Sequence, residues 1–513
     1  MNGAESLVRT LLAAGVDTCF ANPGTSEMHF VAALDRVPGM RCVLAMFEGV
    51  ATGAADGYAR MAGKPAASLL HCGPGLANGL ANLHNARRAH VPLVNITGDQ
   101  ATYHKPLDPL LAADTEAFAR GVSGWVRTAM TAAEVGSLAA EAVQAALQPP
   151  GQVATLILPS DASWNDGGVA AEPLPASSVK TVDDAAVADL ARVLRSHEPA
   201  VIVLGGAALF AKALGDAHRI AAATGAKLFA ECFNTRIERG RGRHAVDRVP
   251  YQIDAALAAF DGIRHVILAG ADDPISFFAY PGKRGQLRSP DAALHVLAGR
   301  DEDGPQALAR LADELKAPSV PLPATAPRPE PARGPVTSAA FARTLTALMP
   351  DGAVIVDESI TFGFAFFPGT VDAAPHDWLQ LTGGAIGDGL PLSTGAAVGA
   401  PGRRVITLQA DGSALYTVQA LWTQAREKLD VTTVIFANRR YAILQGELQQ
   451  VGATPGEASR TLFDLGNPAL DWVAIAKGFG VEAASAETME DFARLFAHAN
   501  ATPGPFLIEL MVP

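Results

Sequence analysis

Short apolar runs alternate along this chain with longer amphipathic stretches. In the first third, residues 18–21, 42–46, 67–70, 93–97 and 154–158 read as buried strands, with helices over 76–89 and 132–147 between them. The middle third offers strands over 200–204, 227–230, 265–269 and 294–297. The last third offers 353–356, 404–409, 432–436 and 506–510. Runs of four to six apolar residues flanked by helical periods are the pattern of parallel strands buried on both faces. Strands alternating with helices throughout predict an α/β fold. The expectation is three doubly wound α/β domains with mostly parallel sheets, whose ligands gather beyond the carboxyl ends of the strands.

Two stretches interrupt the alternation. Residues 318–335 hold seven prolines in eighteen positions, which neither a helix nor a central strand tolerates. Residues 165–182 are a weaker version. They divide the chain into 1–164, 183–317 and 336–513.

Composition narrows the function classes. Of the 513 residues, 49% are hydrophobic and 18% charged, which suits large buried cores and excludes a disordered chain. The net charge is −12 and no basic face is clustered in sequence, so nucleic acid is not an expected partner. No apolar run is long enough to span a membrane. The N-terminus MNGAESLVRT has no basic n-region, so no signal peptide is expected. The four cysteines, at 19, 42, 72 and 232, form no CxxC pair. Cys19 and Cys42 lie in apolar strand-like runs and are expected to be buried thiols, and a reducing cytoplasm is the expected compartment.

Three features carry chemistry. The strand 404–409 runs into Ala410-Asp411-Gly412-Ser413, a helix is expected from Ala414 to about Glu427, and the next strand ends at Asn438, 27 residues after Asp411. Asp411 and Asn438 thus present a hard anionic oxygen and a neutral amide oxygen at two strand ends, and the Arg440 carbonyl could add a third. Such a set suits Mg²⁺ when phosphates complete its shell. The amides of Gly412 and Ser413 would open the helix toward those phosphates. The alternative is a simple turn with a helix cap. Second, LTGGAIGDGLPLSTG (381–395) either lets backbone approach a flat ligand or packs a glycine-rich helix tightly on a sheet. Third, Glu48 follows the apolar strand ending at Met46-Phe47. Desolvation there favours its neutral form and fits proton exchange with a ligand base. The alternative is a carboxylate stabilised at a helix N-terminus.

Together these motifs resemble the thiamine-diphosphate-dependent decarboxylase and acetolactate synthase superfamily. The resemblance runs through NPGTSE (22–27), Glu48, ADGYAR (55–60), GPG (73–75), PLVNITG (92–98) and the Asp411–Asn438 pair. The family's motif starts Gly-Asp-Gly and ends Asn-Asn; here Ala410 and Ala437 replace the first residue of each, and both metal-facing side chains remain. The resemblance implies thiamine diphosphate and Mg²⁺ as cofactors and a small-molecule 2-oxo acid as substrate. It implies a site shared between two subunits, in a homodimer at minimum and commonly a homotetramer. Domain 1–164 would bind the pyrimidine and 336–513 the diphosphate. Glu48 would bond the pyrimidine ring nitrogen and favour the imino tautomer. Pro23, Gly384, Ile386 and Ile443 would contact the cofactor, with Ile386 as the apolar wedge that bends it. Asp411, Asn438 and the Arg440 carbonyl would hold the metal, and Gly412 and Ser413 the phosphates.

His71 matches a histidine that benzoylformate decarboxylases place over the reacting carbon, and Thr25 falls where they carry a serine. Phe278 aligns with their second active-site histidine, which leaves carboligation open beside simple decarboxylation. Ile443 and Leu444 would line the acyl pocket. The middle domain shows no GxGxxG, so FAD is the less favoured cofactor there. Acetolactate synthase is the near alternative. A non-catalytic, regulatory nucleotide-binding α/β protein is the alternative of another class, and retention of Glu48 with Asp411 and Asn438 argues against it.

Overall fold

The computed structural model describes residues 1–513. Its eighteen strands form three sheets with helices on both faces. The first sheet contains β1 (Thr18–Ala21), β2 (Arg41–Leu44), β3 (Ala66–Leu70), β4 (Leu93–Asp99), β5 (Trp125–Thr128) and β6 (Val153–Pro159). Their order is β2-β1-β3-β4-β6-β5, all parallel. The second joins β7 (Ala200–Leu204), β8 (Lys227–Ala230), β10 (Asp247–Arg248), β11 (His265–Ala269) and β12 (Ala293–Ala298) in the parallel order β10-β8-β7-β11-β12. The third contains β13 (Val354–Glu358), β14 (His376–Gln380), β15 (Val405–Ala410), β16 (Val431–Ala437), β17 (Glu482–Ala486) and β18 (Phe506–Met511). Its order is β17-β18-β16-β15-β13-β14, with one further strand beyond β14. Strand β9 (Ile237–Arg239) comes from the middle of the chain and closes this edge antiparallel to β14. The middle segment therefore cannot move freely of the third sheet.

The strands missing from the sequence reading, β5, β9, β10, β14 and β17, have two causes, and β10 shares with β5, β9 and β17 that of an edge position. β14 reads HDWLQ and has no apolar run, yet every residue in it is buried. Two of its polar side chains are paired, Asp377 with Arg236 and Arg403, and Gln380 with Asn234, while His376 Nε2 and Trp378 Nε1 have no partner. β5, β9 and β17 are edge strands, where one side need not be apolar. Edge position also corrects the reading of Cys42, whose strand β2 borders the sheet and leaves it exposed, while its register partner Cys19 is buried. The helix expected from Ala414 to Glu427 is a second correction. A short helix already starts at Asp411, passes through a 3₁₀ turn at Leu415–Thr417, and resumes only over Ala420–Arg426.

One hydrophobic core of 40 buried residues runs from the first sheet region into the third. Its centre is the contact between the helix Glu48–Ala62 and the helix Gly389–Gly399. The backbones touch there: a Cβ on Gly57 would lie 2.0 Å from the Leu392 carbonyl oxygen, and one on Gly395 would lie 1.8 Å from that of Ala54. Only glycine permits this approach. The helix that begins with Glu48 is thereby fixed against the helix that follows the glycine-rich loop.

Candidate active site

Every expected site residue lies at, or just beyond, the carboxyl end of a strand or on a helix adjoining one. They form three groups.

The first group belongs to the first sheet. Strand β2 ends at Leu44, and Glu48 opens its helix four residues later. Glu48 is 8% exposed, and its Oε2 accepts a hydrogen bond from Asn78 Nδ2 at 3.0 Å. Its Oε1 has no protein partner. The loop after β1, which holds Pro23 and the exposed Thr25, brings Gly24 and Ser26 against the ring of His71, which follows β3. His71 Nδ1 lies 2.9 Å from Glu27 Oε2 and 3.1 Å from Ser26 Oγ. The carboxylate favours a ring proton at Nδ1. Cys72 Sγ sits 3.1 Å from Ser26 Oγ, and burial pushes its thiol up to about 11. Glu27 and Asn78 escaped the sequence reading. Both lie inside quoted or adjacent motifs, and only folding shows that they hold His71 and Glu48.

The second group lies at the ends of β15 and β16, which pair in register from Val405↔Val431 to Ala410↔Phe436. Asp411 is 3% exposed. Its Oδ1 accepts from the Gly412 amide (2.8 Å) and its Oδ2 from the Arg439 amide (2.7 Å). Burial raises its pKa, and these backbone bonds oppose the rise. No cationic side chain pairs with it. Asn438 Oδ1 accepts the Arg440 amide at 3.1 Å, and Arg439 between them turns at φ +55°. A buried carboxylate without a cation, beside an amide oxygen and the Arg440 carbonyl, which also accepts the Ala442 amide at 3.0 Å, is an all-oxygen donor set of the kind a hard divalent ion takes. Ser413 is held by Gln409, whose Nε2 donates to its Oγ at 2.6 Å.

The third group encloses a cavity of about 700 Å³ between the middle segment and the third sheet. Five expected residues line it: Phe278, Gly384, Ile386, Ile443 and Leu444. Gly384 adopts φ +75°, and a Cβ there would press 2.6 Å from the Phe277 ring. The loop around it is clamped from both sides. Glu358, buried at the end of β13, accepts the amides of Gly387 (2.7 Å), Asp388 (2.9 Å) and Gly389. From the first sheet's helix Cys72–Ala89, Asn85 bonds Ala385 through both its amide atoms, and His84 contacts the Gly383 carbonyl. Burial raises the pKa of Glu358, and its three backbone bonds oppose this. Both uses of the glycine-rich stretch are therefore realised, a ligand-side loop and a tightly packed helix.

Within one chain these groups do not merge. The cavity lining includes none of Pro23, Thr25, Glu48, His71, Asp411, Gly412, Ser413, Asn438 or Arg440. It does include Phe233, Tyr251, Phe277, Phe364 and Glu447, which carried no signal in sequence.

Comparison with known proteins supplies the family. Residues 1–120 match the N-terminal TPP-binding domain of thiamine pyrophosphate enzymes, and residues 370–510 match the C-terminal TPP-binding domain. IlvX of Mycobacterium tuberculosis, carried under the name of an acetolactate synthase large subunit, is 53% identical over all of this chain and 99% of its own. A benzoylformate decarboxylase of Pseudomonas aeruginosa is 30% identical over 97% of this chain and 96% of its own. Among solved structures, the thiamine diphosphate-dependent 4-hydroxybenzoylformate decarboxylase of Rhodococcus jostii RHA1 superposes with a TM-score of 0.85. It is 27% identical, covering 99% of this chain and 98% of that one. No helix of the chain is long and apolar enough to cross a membrane. With matched domains at both ends and relatives along its whole length, the chain belongs to the thiamine-diphosphate-dependent enzymes of the decarboxylase and acetolactate synthase family.

Proposed function

We propose that the chain is a thiamine-diphosphate- and Mg²⁺-dependent lyase that decarboxylates a 2-oxo acid. The acyl carbon left behind takes a proton or a second carbonyl compound. The observation that carries this reading is Glu48: a carboxylate with Oε2 fixed by Asn78 and Oε1 free to exchange a proton with a ring nitrogen. Bound thiamine diphosphate supplies the electron sink for carbon dioxide loss.

The chain's own residues do the rest. Asp411, Asn438 and the Arg440 carbonyl would hold Mg²⁺, and the Ser413 amide would face the diphosphate, the Gly412 amide being taken by Asp411 Oδ1. The Gly384 backbone would hold the pyrimidine amino group, and Ile386, Pro23 and Ile443 would line the cofactor. His71, its proton set by Glu27, and Thr25 meet the reacting end of the substrate, and Phe278 and Leu444 meet its acyl chain. Because Glu48 does not line the cavity of its own chain, the complete site pairs one subunit's Glu48 with another's cavity. A homodimer is the minimum assembly, and a homotetramer fits the family. Four free cysteines accord with a reducing cytoplasm.

Acetolactate synthesis is the second reading. The exposed Phe278 aligns with the second active-site histidine of benzoylformate decarboxylases, and its lack of a proton to give leaves time for a carbonyl acceptor. The test is a 2-oxo-acid panel on EDTA-stripped protein, scoring carbon dioxide, aldehyde and acyloin. Turnover is expected only after Mg²⁺ and thiamine diphosphate are restored. Turnover without either would refute the assignment.

A further inference from the structure

The cavity has a polar end that the decarboxylation chemistry does not use. The helix Ala442–Gln450 presents Ile443 and, one turn on, Glu447 to the same space. Both carboxylate oxygens of Glu447 are steered by phenols: Tyr251 donates to Oε1 at 3.3 Å and Tyr280 to Oε2 at 2.9 Å. Burial, helped by the nearby carboxylate, raises the pKa of both phenols, so they remain donors. Each oxygen keeps acceptor capacity beyond its phenol bond, and Glu447 lines the cavity. No lysine, arginine or histidine pairs with Glu447; the nearby Lys283 is engaged with Asp254 at 2.7 Å.

Around this carboxylate the walls are aromatic. Tyr251 packs against Phe233, Phe277 and Phe364 with ring centroids 5.5–6.2 Å apart. The charged residues lining the cavity are Asp247, Asp357, Glu358 and Glu447 against one arginine, Arg248, which lies over the Phe367 ring at 4.2 Å. Ring faces attract cations, and an aromatic wall with a carboxylate at its end is a receptor for one. A neutral aryl group would fill the walls but leave Glu447 facing apolar surface, at a desolvation cost.

We propose that this cavity takes a 2-oxo acid whose far end is a guanidinium or ammonium group, and that Glu447 is the specificity-determining residue that receives it. This inference rests on the 2-oxo-acid reading above. One helical turn, roughly 5–6 Å, separates Ile443 from Glu447, so a spacer of a few methylenes joins the reacting carbonyl to the cation.

The test compares kcat/KM of the holoenzyme for 5-guanidino-2-oxopentanoate, the similarly long 2-oxooctanoate, and benzoylformate. The cationic acid is expected to exceed both neutral acids by at least about 10-fold, and Glu447→Gln is expected to erase most of that ratio. A higher kcat/KM for either neutral acid, or a ratio unmoved by Glu447→Gln, overturns the proposal while leaving decarboxylation standing. Calorimetric titration of the holoprotein with the unreactive 4-guanidinobutanoate and hexanoate supplies an independent arm. Preference for the guanidino acid in wild type but not in Glu447→Gln is expected. Equal binding of the two overturns the proposal even if no oxo acid turns over.

Discussion

The chain places buried carboxylates at strand ends in two sheets, and treats them in opposite ways. In the first sheet Glu48 is held by one side-chain amide, with an oxygen left over. In the third, Asp411 and Glu358 have both oxygens occupied by backbone amides. A carboxylate with a free oxygen can gain and lose a proton without disturbing its neighbours. One bonded by several amides is fixed as an acceptor, and its protonation breaks local structure. The same kind of strand-to-helix connection thus leaves a carboxylate with a free oxygen in the first sheet and fully bonded carboxylates in the third.

Glu48→Gln separates the two roles most sharply. It keeps an acceptor for Asn78 but removes the exchangeable proton. Loss of kcat by about 10²–10⁴-fold is expected, with cofactor binding retained by calorimetry. A fall in binding with kcat preserved would merge the two classes.

Asp411→Ala should act the other way. The Mg²⁺ concentration for half-activation is expected to rise by at least about 100-fold, read by titrating stripped protein, while saturating metal restores part of kcat. Glu358→Ala should cost stability, because three buried amides lose their acceptor. About 3 kcal/mol or more is expected from denaturant unfolding of the holoprotein. A shift below about 1 kcal/mol would mean that Glu358 is not a scaffold.

The smallest effect concerns pH. His376, buried on β14, has its pKa pushed down to about 3 by burial. In the unfolded chain it titrates near 6.5. The native state therefore favours the neutral ring, and its contribution is fully present above pH 6.5 and lost as pH falls toward 3. The expected slope is up to about 1.4 kcal/mol per pH unit in that window. His376→Asn should flatten it in acid unfolding curves. An unchanged slope would move the acid sensitivity elsewhere.

Much of this was legible before folding. β1, β7, β8 and β11 appear in the sequence as apolar runs with the same bounds as in the sheet. The positions of Asp411 and Asn438 were legible because an apolar run that stops at a polar residue marks a strand end; for Glu48 the run was misleading, since the strand stops at Leu44 and Glu48 opens the helix four residues later. β14 was not, because its burial depends on partners such as Arg236, 141 positions away. The Glu447 site was not, because it joins Tyr251 and Glu447 across 196 positions, and no local pattern records that meeting. Glu27 sat in view within NPGTSE, but its partner His71 lies 44 residues on. Local periodicity reports which side chains are buried; it does not report which buried polar groups find each other.

The central claim is that Glu48 Oε1 is the group through which this protein moves the cofactor's proton. The most direct measurement is the rate of hydrogen–deuterium exchange at C2 of bound thiamine diphosphate, by quenched-flow NMR, in wild type and Glu48→Gln at saturating Mg²⁺. The account predicts fast exchange in the wild type and a loss of about 10²-fold or more in the variant, with equal cofactor occupancy. Equal exchange rates in the two proteins would contradict it.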